Sequence, residues 1–137
     1  MAFGLACFGL AAVMVGLVGC GTGDRSSICR SHDTLRAAVR TMDSARSAVA
    51  ANDDAAVGRL MDEVDRLLRA ARRAVSSGNP DAATASAARA MLEAANYLGY
   101  MTGQFRSTGS IDFSLTQFAS RELNRAASGA GGAPLNC

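Results

Sequence analysis

Apolar positions recur at helical spacing through most of this chain. Ile28, Leu35, Met42 and Val49 follow one another at intervals of seven, with Ala38, Val39 and Ala45 between them. Arg36, Arg40, Asp43, Arg46 and Ser47 occupy the other faces. A stripe of this kind marks an amphipathic helix, and it predicts a first helix over 33–51. Asn52-Asp53-Asp54 then breaks and restarts the chain. Asn is a favoured N-cap, and acids suit the positive end of a helix dipole. The second helix carries Val57, Leu60, Met61, Val64, Leu67, Leu68, Ala71 and Val75 on one face. Its opposite face holds Asp62, Glu63, Asp65, Arg66, Arg69, Arg72 and Arg73. Asp62–Arg66 and Asp65–Arg69 have the acid-first i,i+4 order that supports a helix.

Ser76-Ser77-Gly78-Asn79-Pro80-Asp81 marks the next corner. Gly78 suits a left-handed terminal residue, Asn79 a cap, and Pro80 the first helical position, where no N–H is needed. An alanine-rich third helix is expected over 80–101, with Ala83, Ala87, Ala88, Ala94 and Ala95 small enough for close approach. Met91, Leu92 and Leu98 supply its bulk. Thr102-Gly103-Gln104 and Ser107-Thr108-Gly109 then predict a loop around Phe105. The last helix is expected from Ser114, with Leu115, Phe118, Ala119 and Leu123 on its apolar side. Ser114 and Gln117 have capping-box spacing, and Phe113 and Phe118 that of a hydrophobic staple. The resulting fold class is all-α: a small antiparallel bundle of three long helices plus a shorter C-terminal helix. The bundle spans 28–127, and a glycine-rich tail over 128–137 ends in Cys137.

Composition narrows the function. Apolar residues make up 49% of the chain, but alanine carries much of that share and aromatics are 5%. All 14 basic residues are Arg, which points to a GC-rich genome. The net charge of +2 is too small for a nucleic-acid binder, which needs a clustered basic surface.

Residues 1–19 are uncharged and almost wholly apolar, and they end in Leu17-Val18-Gly19 before Cys20. An export signal ends at small residues. The sequence Leu17-Val18-Gly19-Cys20 resembles the lipobox of bacterial lipoproteins. That resemblance implies a signal peptide over 1–19, cleavage before Cys20, and a thioether-linked diacylglycerol on its sulfur. It places the protein on the extracytoplasmic side of the cell membrane, held by its lipid. The basic start of a secretory signal is missing, and the first charged residue is Asp24. The same apolar run is also long enough for an uncleaved membrane helix. Residues 20–27 read as a flexible Gly- and Ser-rich tether.

If Cys7 leaves with the signal and Cys20 carries lipid, Cys29 and Cys137 remain. An oxidising compartment favours their pairing, with two free thiols or an intermolecular link as the alternatives. Other chemistry is sparse. His32 is the single histidine, and Cys29-x-x-His32 lacks the second cluster a structural zinc site needs. It reads as a solvated residue near a helix start. No Ser-His-Asp set is available, no cofactor pattern occurs, and the second-helix acids are matched by arginines, so no enzyme is expected. The arginines over 66–73 read as a solvated face, with anionic lipid head groups as the alternative. The aromatics beyond the signal are Tyr97, Tyr100, Phe105, Phe113 and Phe118. They read first as rings filling one end of the bundle. Tyr97, Tyr100, Phe105 and Phe113 are also the candidate lining of a pocket for a small apolar molecule. The leading expectation is an envelope lipoprotein that binds a protein partner or serves as a structural accessory.

Overall fold

The computed structural model describes residues 21–129, 132 and 134–137. Among them the chain is all-α, with α1 (Gly21–Ala50), α2 (Asp54–Gly78), α3 (Ala85–Thr108) and α4 (Leu115–Ser128). Cross-links between helices fix their directions. The Ser31 hydroxyl, near the start of α1, donates to the Ala71 carbonyl late in α2 at 3.1 Å. His32 Nε2 lies 3.2 Å from the Leu123 carbonyl in α4, while Arg46 at the far end of α1 donates to the Phe113 carbonyl and the Thr116 hydroxyl. Arg72 of α2 reaches Asn96 of α3, and Asp62 of α2 meets Arg106 of α3. So α1 runs antiparallel to α2 and α4, and α2 antiparallel to α3.

The core is made of methionine, small aliphatics and alanine. Met42, Met61, Met91 and Met101 are at most 1% exposed, beside Ile28, Leu35, Val64 and Leu98. Methionine is unbranched and adapts to irregular gaps. Buried Ala88, Ala94 and Ala95 let α3 lie close to its neighbours. The sequence predicts that rings fill such gaps, yet among the described residues none of the fully buried side chains is aromatic. Phe105 and Phe113 pack against the core from its edge. Val49 and Leu92 leave the expected stripes at 45% and 38% exposed. Val49 sits in the last turn of α1, and Leu92 follows Met91, which takes the inward position.

Several boundaries differ from the sequence expectation, each for a local reason. Helix α1 begins at Gly21, so the segment expected as a flexible tether is helical from that residue. Ile28, Ser31 and His32 are buried, and Arg25 donates to the Pro134 carbonyl at 2.8 Å. Once tertiary contacts fix those turns, extending the helix costs little. At the first corner Asn52 is left-handed (φ 56°), and Asp53, not Asn52, caps α2 by accepting from the Ala56 N–H at 2.9 Å. At the second corner Asn79, not Gly78, is left-handed (φ 45°). One carboxylate oxygen of Asp81 accepts from the Ala83 N–H, the Thr84 N–H and the Thr84 hydroxyl. Thr84 Oγ1 in turn accepts from the Asp81 N–H at 3.1 Å. This mutual capping holds a turn over 82–84 and delays α3 to Ala85.

Helix α3 continues through the expected loop because Met101 and Thr102 are buried. It ends at left-handed Gly109, whose N–H donates to the Phe105 carbonyl. The capping box at α4 does not form, since the Ser114 side chain makes no cap bond. Asp112 accepts from the Ser114 N–H instead, and Thr116 donates to the Phe113 carbonyl. The tail is packed. Leu135 is buried, and a Cβ on Gly132 would lie 3.0 Å from the Ala83 carbonyl. Cys29 and Cys137 are joined in the structure, with Cα atoms 5.5 Å apart.

Candidate functional site

The described aromatic residues divide into two groups. Phe105 and Phe113 are half-buried against the core, and the Arg46 guanidinium lies 5.2 Å from the Phe113 ring centre. Tyr97, also half-buried against the core, joins exposed Tyr100 and Phe118 in an outer face across α3 and α4. The Tyr97 and Phe118 ring centres are 5.6 Å apart, and Arg121 stacks 4.3 Å over Phe118. Tyr100 is 64% exposed and Phe118 41%. The sequence predicts Phe118 on the apolar side of the last helix, but Ala119 takes the inward position beside it. Tyr97, Tyr100, Leu115, Glu93 and Asn96 line an open groove of about 390 Å³ on this face. Of the four residues expected to line one pocket, Tyr97 and Tyr100 line this groove, and Phe105 and Phe113 are not part of its lining.

A second groove, of about 510 Å³, runs between α2 and α3. Arg69, Arg72 and Arg106 stand around it; on its α3 side Gly99 lets the Arg72 guanidinium approach closely, and Gly103 leaves open space. The acids of α2 do not form the expected bonds within their own helix. Arg106 reaches across from α3 to pair with Asp62 and Asp65, and Arg66 turns to Glu63. The hydrogen bonds and charge of Arg66 hold the Glu63 carboxyl below the usual glutamate range. The Thr102 hydroxyl, buried in α3, donates to Asp65 Oδ1 at 2.8 Å. Arg72 donates to Asn96 Oδ1 and to the Ala95 carbonyl. The arginines over 66–73 are all exposed, as expected of a solvated face. Two of them line a groove whose opposite wall ends in Thr102, Gly103 and Arg106, beyond the expected end of the third helix at 101. A Gly99-x-x-x-Gly103 spacing was visible, but it becomes a groove only when both glycines lie on one helix.

His32 is buried rather than solvated, and its ring contacts the Leu123 carbonyl. Neighbouring Cys29 is bonded to Cys137. Among the described residues, no group of three or more His, Cys, Asp or Glu is placed to hold a metal ion. No described helix is long and apolar enough to cross a membrane. Leu17-Val18-Gly19-Cys20, including the expected lipidation site, lies outside the described residues. Compared with protein-family models, curated proteins and solved structures, the chain finds no match in any of the three.

Proposed function

We propose that this protein is a lipid-anchored, extracytoplasmic helical module that acts by binding a partner protein of the cell envelope. The observation that carries the binding role is the aromatic face of α3 and α4. In a chain with so few rings, Tyr100 and Phe118 are left on the surface while the core is filled with methionine and alanine. Tyr is enriched among residues that dominate interfaces, and exposed apolar patches mark binding surfaces. The groove beside Tyr97 and Tyr100 is open, which favours a polypeptide covering it over a small apolar molecule enclosed within it. The anchor rests on the lipobox-like residues 17–20, and a Cys29–Cys137 bridge is in keeping with an oxidising compartment.

Two measurements test this reading. The intact mass of membrane-extracted protein should show residues 1–19 replaced by acyl chains, and Cys20→Ala should lose them. Recovery of the protein from the cytosol with its original methionine would overturn the anchor. A photo-crosslinking side chain placed at position 100 or 118 in intact cells should give one discrete protein adduct, and one at Arg59 on the exposed side of α2 should not. Equal adducts from all three positions, or none from 100 and 118, would overturn the docking face.

A further inference from the structure

The two grooves adjoin on α3. Asn96 and Tyr100 line both, so these side chains stand between the apolar groove of α3 and α4 and the arginine-lined groove of α2 and α3. We propose that this second groove receives acidic side chains of the same partner segment whose apolar residue docks beside Tyr100. The proposal rests on the docking reading above and adds the chemistry of the partner.

The charge balance of the groove supports it. Asp65 is the sole carboxylate on its lining, and it is already engaged by Thr102 and Arg106. Arg72 and Arg106 are held in place by Asn96 and Asp62, yet each guanidinium has five N–H donors and uses only some of them. Arg69 is exposed and has no hydrogen bond or ion pair among the described residues. The groove therefore presents more positive donors than acceptors. Guanidinium groups pair with carboxylates through two parallel bonds. Gly103 keeps the α3 wall low, since a Cβ there would meet nothing within 4 Å. A carboxylate carried on a side chain thus has room to approach.

An acidic peptide fits this position better than a membrane surface. Helix α1 is described from Gly21, the residue after the proposed lipid site, and Ala71 lies level with Ser31. At a rise of about 1.5 Å per residue, that level is about 15 Å along α1, and the Asp62–Arg106 pair is farther still. Screening within about 8 Å at physiological salt weakens any pull from lipid head groups at that height.

The test uses the full-length protein in detergent and two fluorescent probes, hexaglutamate and hexaglutamate ending in phenylalanine. Both should bind at low salt, and the phenylalanine probe about tenfold tighter, as burial of one ring allows. Arg69→Glu should weaken both probes at least about tenfold, which is about 1.4 kcal/mol. Tyr100→Ala should remove only the advantage of the phenylalanine. Arg69→Gln provides a milder variant if the charge reversal does not fold. Absence of binding, or binding indifferent to position 69, would overturn the proposal. So would Arg69-dependent binding to phosphatidylglycerol vesicles with no binding of either peptide. If the adduct at position 100 forms normally in the Arg69→Glu protein, the docking face stands and the acidic partner falls.

Discussion

Asp81 and His32 show how single side chains set local structure here. Hydrogen bonds from Thr84, then from Ala83, hold the Asp81 carboxyl below the ordinary aspartate range. A group with a lowered folded pKa adds stability above its unfolded pKa and loses it as pH falls through the folded one. Asp81→Asn keeps the shape but removes the charge. Its stability deficit relative to wild type in urea should be constant from neutral pH down to the aspartate range and then shrink. Parallel curves throughout would mean the cap does not depend on ionisation. For His32 the contrast is between surface and core. Its ring is 5% exposed and wedged between α1 and α4 at the Leu123 carbonyl. His32→Ala should therefore cost on the order of 2 kcal/mol in urea unfolding, whereas a solvated position would change stability by less than about 0.5 kcal/mol.

At the scale of helices, apolar spacing located the elements because burial, not propensity, decides them. Leu35, Met42, Val64, Leu68, Met91, Leu98 and Leu123 all face inward as their spacing requires. Ends were less legible because they depend on partners distant in sequence. Arg25 finds Pro134, and Arg46 finds Phe113 and Thr116. The same blindness hid the basic groove. Gly103 falls in the loop that the sequence predicts, whereas buried Met101 and Thr102 carry α3 past it. Gly103 is thus an interior helical glycine without a packing reason for its missing side chain. Gly103→Ala should raise stability by about 0.5–1 kcal/mol through helix propensity. A urea midpoint equal to or below that of wild type would mean that position needs glycine for another reason.

Over the whole molecule, the start of α1 and the C-terminal tail meet at one end of the bundle. Arg25 donates to Pro134, Leu135 is buried, Gly132 lies against Ala83, and Cys29 is bonded to Cys137. The foot of α1, which the proposed lipid would hold, is therefore tied to the corner where α3 begins. Closing a loop across a separation of 108 residues restricts the unfolded chain. The chain-entropy treatment gives about 4–5 kcal/mol as its ceiling. Leu135 and the Arg25 bond should keep part of the tail in place without the bridge, so the measured loss should be smaller. Replacing both cysteines by alanine should lower the urea midpoint and speed amide exchange at residues 25–31 and 83–86, while leaving the Asp53 corner at the opposite end protected. Non-reducing peptide mapping of the native protein should recover Cys29 linked to Cys137. Two free thiols there, or unchanged exchange in the double variant, would mean that noncovalent packing alone closes the bundle.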